Sequence, residues 1–351
     1  MNAPARLLHV GPHKTGTTSI QDAFYGSRPR LLEHGVHYLG GTRDLRPVLL
    51  ELLDHDRAGR TDGPESWQQL LAEADRTSAH TTVLSSELLC VAGDRLRGRL
   101  VADFVGDDGE VVITLRSLGA IMPSQWQQAV QAGMATSWEA YVRRQLRAWP
   151  GEGTAFWRRH RHDLLIERWA EQIGAERVVV VVADERDPDF LTRQFAELAG
   201  LPAGVLEPPA AKSNRSLTWE EIEAVRAFNC GIDAREAELG DEAPPFVWPP
   251  LWRSRAWWWF KIRERNPAHH SVRLPAWAAD DLGAHAAEIV DRIRASGVRV
   301  FGPVEQLVAR PKVTDEPLPQ HLDPEVSGQV AARIAETLLR DLGASGTPAA
   351  D

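Results

Sequence analysis

Five short apolar runs stand out along the chain: Leu7–Val10, Thr82–Ser85, Val111–Leu115, Val178–Val182 and Val298–Phe301. They are short, rich in β-branched residues and mostly apolar throughout. That pattern predicts strands buried on both faces, as in a parallel sheet. Between them, apolar residues recur at helical spacing over Trp67–Thr77, Ser137–Trp149, Leu164–Ile173 and Phe190–Ala199. Strands alternating with helices predict an α/β fold, a parallel sheet flanked by helices on both faces. The chain carries no internal repeat and no long low-complexity tract.

One region breaks this rhythm. From Gly240 to Trp277 the chain is rich in Pro and Trp, and seven of its 13 tryptophans lie between Trp219 and Trp277. The expected organisation is a single domain over residues 1–342, with residues 240–277 forming an insertion or lid. The small, polar residues 343–351 are expected to form a frayed tail. Three readings of Phe246–Phe260 stay open: core packing of the insertion, aromatic lining of an acceptor pocket, or peripheral contact with a membrane. The last draws on Arg253, Arg255 and Lys261 among the tryptophans.

Charge and cysteine content narrow the function classes. The formal net charge is −9 over 351 residues, which speaks against a general nucleic-acid binder, since that role needs basic surface. One small positive pocket remains compatible with it. The two cysteines, Cys90 and Cys230, both sit among apolar residues, so buried free thiols are expected rather than a disulfide framework. The apolar run near the N-terminus is too short for a signal-peptide core or a membrane span. The expectation is a cytoplasmic protein without a membrane span.

The chemistry concentrates in Gly11-Pro12-His13-Lys14-Thr15-Gly16-Thr17-Thr18-Ser19, which follows the first strand and opens a helix through Ile20, Ala23 and Phe24. A helix N-terminus offers unpaired N–H groups and the positive end of the dipole, which suits an anion. Gly16 allows close backbone approach, Thr17, Thr18 and Ser19 add hydroxyls, and Lys14 adds a full charge. The ATP-binding pattern G-x-x-x-x-G-K-[ST] is absent, because Lys14 precedes Gly16 by two residues.

Lys14-Thr15-Gly16-Thr17-Thr18 resembles the Lys-Ser-Gly-Thr-Thr loop of sulfotransferases that use 3′-phosphoadenosine 5′-phosphosulfate (PAPS). His-Lys-Thr-Gly-Thr-Thr-Ser-Ile-Gln is especially similar to bacterial members. The resemblance implies a P-loop-like sulfotransferase fold. It places the 5′-phosphosulfate on Lys14, Thr15, Gly16, Thr17, Thr18 and Ser19. It also implies an Arg at a later strand end with a Ser eight residues on, both gripping the 3′-phosphate. Arg116, after Val111–Leu115, and Ser124 match that spacing. An Arg fork and a hydroxyl donor suit a phosphate. A late basic loop of the family is matched in position by Lys212 to Ser216, with Arg215 as its candidate ligand, although the Arg-Lys-Gly form of eukaryotic members is missing.

The implied activity moves a sulfuryl group from PAPS to an acceptor hydroxyl or amine and leaves adenosine 3′,5′-bisphosphate. The acceptor would be a glycan, a lipid or a small metabolite, and no metal is called for. Lys14 is the expected electrophilic residue. Three residues compete for the role of base: Glu87, at the end of the strand Thr82–Ser85 where cytosolic members carry a Thr-His pair; His13, beside the lysine; and His37 after the first helix. Two rival readings remain: a kinase using ATP, and a nucleotide-binding or partner-binding module without catalysis.

Overall fold

The computed structural model describes residues 5–42, 45–208, 215–239, 264–314, 318–319 and 321–345. Residues 240–263, most of the Pro/Trp-rich segment, lie outside the described residues, as do Lys212, Ser213, Asn214 and residues 346–351. The chain divides into two compact units. The first comprises Met1–Ile121, Ala148–Ala210 and Asp281–Arg310; the second comprises Met122–Arg147, Ala211–Asp280 and Pro311–Asp351.

The first unit is built on a six-stranded, all-parallel sheet. Its strands are β1 (Arg6–His9), β2 (Val36–Tyr38), β3 (Thr81–Ser85), β4 (Glu110–Leu115), β5 (Val178–Val182) and, last in the sheet, β7 (Arg299–Phe301). The order is β2-β3-β1-β4-β5-β7. The α/β architecture expected from the alternating pattern is therefore present, and the five expected strands fall within a residue of their predicted positions. β2 is the addition: three residues at the sheet edge, with polar His37 at its centre, are too short and too mixed to register as an apolar run.

Helix α1 (Thr17–Glu33) and helix α9 (Phe190–Leu198) pack on one face of this sheet. Leu7, Val83, Val112, Val179 and Val181 meet Ile20, Phe24 and Leu31 of α1 and Phe195 and Leu198 of α9 in one buried cluster. Burying a Phe such as Phe24 or Phe195 is worth about 1.5–3 kcal/mol. Helices α4 (Asp94–Leu100) and α8 (His162–Ile173) pack together, and α8 lies against β4 and β5. Three further helices complete the first stretch of the chain, α2 (Arg46–Arg57), α3 (Glu65–Arg76) and the short α7 (Ala155–His160).

The sheet order fixes where a ligand can lie. The connection leaving β1 runs toward β2, whereas those leaving β3 and β4 run the other way. The carboxyl ends of β1, β3 and β4 thus surround the reversal point, where open α/β sheets form a binding crevice.

The second unit holds most of α5 (Leu118–Gln131), α6 (Trp138–Ala148), α10 (Trp219–Leu239) and α12 (Pro324–Ser345), with the two-residue strands β6 (Leu274–Pro275) and β8 (Val313–Thr314) paired in parallel. Helix α11 (Ala276–Ala295) begins there and ends in the first unit. Trp126 has ring neighbours in Trp138, 5.3 Å away, and Trp219, 5.9 Å away. The indole N–H groups of these three donate to the carbonyls of Thr136, Arg273 and Pro319. An aromatic cluster with its polar handles satisfied gives this unit its core.

Candidate functional site

The loop between β1 and α1 is shaped by two left-handed residues. Gly16, the residue capping α1, has φ 105°, and Lys14 has φ 70°. The first suits glycine. The second places a lysine in a conformation that costs a residue with a Cβ on the order of 1–2 kcal/mol, and such strain concentrates at ligand-binding turns. A Cβ on Gly16 would also stand 2.4 Å from Leu191 Cδ1.

Beneath the loop lies a buried polar network. His9, the last residue of β1, bonds through Nδ1 to Ser85 Oγ at 2.8 Å and through Nε2 to Thr114 Oγ1 at 3.1 Å. Thr15 turns inward, donating to the Pro12 carbonyl and sitting 2.7 Å from Thr114 Oγ1. β1, β3 and β4 are thereby tied together directly under the loop. Burial drives the His9 pKa down to about 3, so its ring is a neutral structural member. Thr15, read from sequence as a phosphate ligand, is buried and spends its hydroxyl on this network.

The start of α1 keeps its binding capacity. No side chain caps it, and its first turn carries no acidic residue. Thr17 Oγ1 is buried without a hydrogen-bond partner among the described residues, whereas Thr18 and Ser19 are exposed. An uncapped helix start with an orphaned hydroxyl, beside Lys14, has the donor set an anion requires. A phosphosulfate group fits that set.

His13 and Glu87 differ in what they can do. Burial, then the charges of Arg159, Lys14 and Arg46, hold the His13 pKa at about 3. A ring so weakly basic is poorly suited to collecting a proton near neutral pH. Glu87 opens the 3₁₀ turn Glu87–Val91 after β3, where Ser86 Oγ accepts from the Leu88 N–H. Its side chain is 14% exposed. Gln21 of α1 donates to the Ser85 carbonyl at 3.1 Å and to Glu87 Oε2 at 3.4 Å, and Arg46 of α2 stands 3.9 Å from Glu87 Oε1. Glu87 and the loop thus share the crevice at the ends of β1 and β3. His37 does not join them: at the centre of edge strand β2 it bonds Glu73 at 2.8 Å. Gln21 and Arg46 were missed from the sequence. Gln21 closes the Ser-Ile-Gln stretch of the loop motif, the one signal in the sequence that could have found it.

Arg116 follows β4 directly, neighbouring the loop through the β1–β4 pairing. Its Nε is 3.2 Å from Glu185 Oε1, and both side chains are partly exposed. Ser124 belongs to the second unit, half-buried in the second turn of α5 rather than at a helix start. Arg215, also in the second unit, forks onto Glu221 at 2.7 and 2.8 Å. Glu221 in turn accepts from the Thr218 N–H, while Thr218 Oγ1 accepts from the Glu221 N–H. That is a capping box opening α10, so Arg215 serves a helix start.

Both cysteines are free, and burial pushes the Cys90 thiol up to about 12. Among the described residues no group of three His, Cys, Asp or Glu side chains is disposed to hold a metal, and no helix is long and apolar enough to cross a membrane.

No protein-family model matches the chain, and no similar curated protein is found. Among solved structures, a sulfotransferase from Alicyclobacillus acidocaldarius is similar at 15% identity, over 68% of this chain and 96% of that one, with a TM-score of 0.36.

Proposed function

We propose that the chain is a sulfotransferase that takes a sulfuryl group from PAPS. The observation that carries this reading is the uncapped start of α1, with the orphaned Thr17 hydroxyl and the left-handed Lys14 beside it, at the reversal point of a parallel sheet. The similarity of residues 13–19 to the family's phosphosulfate loop supports it. So does Arg116 at the neighbouring strand end, which accounts for a second phosphate.

In this reading the acceptor oxygen attacks sulfur in line and forms the new S–O bond. Its proton passes to the Glu87 carboxylate and then to solvent. The S–O bond to the 5′-phosphate breaks, and adenosine 3′,5′-bisphosphate leaves with the electron pair. Lys14 and the helix start stabilise the charge growing on the leaving oxygens, and positioning supplies much of the remaining rate. Gln21 holds the carboxylate of Glu87 in place. His13 stays neutral and lines the loop.

Paired nucleotides test the assignment of Arg116. Adenosine 3′,5′-bisphosphate and 5′-AMP differ only in the 3′-phosphate. Arg116→Ala should weaken the bisphosphate about tenfold or more while leaving 5′-AMP nearly unchanged, since a charge-assisted bond to phosphate is worth about 1.5–3 kcal/mol. Equal losses for both nucleotides would exclude a 3′-phosphate role.

A further inference from the structure

The side chains beneath the loop form a row whose proton order follows from its bonds. Ser85 Oγ lies 2.8 Å from His9 Nδ1, and His9 Nε2 lies 3.1 Å from Thr114 Oγ1. Thr114 Oγ1 lies 2.7 Å from Thr15 Oγ1, and Thr15 closes the row by donating to the Pro12 carbonyl at 2.7 Å. His9 and Thr114 are 0% exposed, Ser85 and Thr15 1%. A bond left unmade at that depth carries the full desolvation penalty of a polar group.

A hydroxyl has one proton to give, and a carbonyl only accepts. The Thr15 proton therefore goes to Pro12, so Thr15 Oγ1 accepts from the Thr114 hydroxyl. Thr114 Oγ1 in turn accepts from His9 Nε2–H. A neutral imidazole protonated on Nε2 has a bare Nδ1, which takes the proton of Ser85. The opposite order would set the Thr15 and Pro12 oxygens 2.7 Å apart with no proton between them. One direction alone makes every bond, from Ser85 through His9, Thr114 and Thr15 to Pro12. Phe195 of α9, in edge contact with its centroid 4.7 Å away, holds the His9 ring in place.

Both ends of the row meet the site. The bond from Thr15 to Pro12 closes a turn around His13 and Lys14, and within that turn Lys14 has φ 70°. At the other end, Ser85 finishes β3, and its carbonyl accepts from Gln21, which also reaches Glu87. We propose that His9 is a positioning residue of the loop: as the Nε2–H tautomer it orients Thr114 and Thr15, so that the closed Pro12–Thr15 turn presents Lys14 to the donor's phosphosulfate. This role rests on the sulfotransferase reading and deepens it, naming what fixes the loop from below. His9 spends both ring nitrogens on hydroxyls and acts through Thr15 alone.

Proton–nitrogen correlation spectra of the full chain, isotope-labelled on histidine, report the tautomer, with His9→Gln assigning the signal. His9 should be neutral and protonated on Nε2 between about pH 5 and 8. A proton on Nδ1 would overturn the proposal, and this measurement on the unaltered chain decides even where a variant fails to fold. Calorimetry with adenosine 3′,5′-bisphosphate reads the positioning. His9→Phe keeps the ring but removes both nitrogens; Thr15→Val keeps the branch but removes the hydroxyl. Each should weaken the bisphosphate about tenfold, the scale of one misplaced charge-assisted bond. Together they should lose little more than either alone, since both cut one row. His9→Gln, whose amide can still donate to Thr114, should recover most of the loss. Circular dichroism checks that each variant is folded. Folded variants that bind like the parent, or losses that multiply in the double variant, would overturn the role of His9 alone. A parent chain that binds no bisphosphate would sink the donor reading instead.

Discussion

Replacing Gly11 with alanine probes the floor of the site. A Cβ there would stand 2.3 Å from Thr114 Oγ1, 2.6 Å from His9 Nε2 and 2.6 Å from Thr17 Oγ1. None of these atoms is the far end of a flexible chain. Two are locked in the network of His9, Ser85, Thr15 and Thr114. Overpacking of this kind costs about 1–3 kcal/mol, and displacing Thr114 or His9 forfeits about one further kcal/mol for each hydrogen bond lost. The expected destabilisation is therefore about 2–4 kcal/mol. Urea denaturation followed by tryptophan fluorescence measures it. Gly26, in the middle of α1, is the control: a Cβ there meets nothing within 4 Å, so Gly26→Ala should stabilise by about 0.5–1 kcal/mol. Bisphosphate affinity should fall with Gly11→Ala and hold with Gly26→Ala. A Gly11→Ala protein as stable as its parent would refute the tight network beneath the loop.

Three further outcomes follow from the same geometry. Lys14→Gly relieves the left-handed strain that Lys14→Ala keeps, so after the entropy cost of glycine it should be the more stable of the two by about 0.5–1 kcal/mol, read from denaturation midpoints, with bisphosphate binding weakened in both. Glu185→Gln frees Arg116 from an exposed ion pair worth at most about 1 kcal/mol, so bisphosphate affinity should rise by up to about fivefold in calorimetry, and a loss of affinity would argue against Arg116 as a ligand. Burial lowers His9 and His13 to about 3, His162 to about 4 and His160 well below its usual value. Each binds its proton in the unfolded chain near pH 6.5 but not in the fold, so stability is full above pH 6.5 and is lost on acidification toward pH 3–4. Near pH 5 the slope should reach about 5 kcal/mol per pH unit for four protons, checked by urea titrations at stepped pH.

The sheet was legible because Val178–Val182 and Val111–Leu115 are buried on both faces, and such strands admit little else than apolar residues. β2 was not, because an edge strand of three residues with one neighbour needs no apolar run. The loop was readable for a similar reason: a helix start meant for an anion must carry glycine, hydroxyls and a cation within a few residues. What stayed hidden depends on distance in the fold rather than in the chain. Gln21 reaches Glu87 across 66 positions, and Arg46 faces the same carboxylate from a third element. Spacing cannot reveal such pairs. Nor could it show that Thr15 points into the network, or that Arg215 secures the capping box of α10. A threonine in a phosphate-like loop and an arginine before a helix read the same whichever way the side chain turns.

The central claim is that the loop at residues 13–19 and Arg116 hold a nucleotide with phosphates at both the 3′ and 5′ positions. Isothermal titration of the full chain with adenosine 3′,5′-bisphosphate and, separately, with ATP tests it most directly. The account predicts saturable 1:1 binding of the bisphosphate, lost or strongly weakened in Lys14→Ala, with ATP much weaker. Tight ATP binding without bisphosphate binding would contradict it.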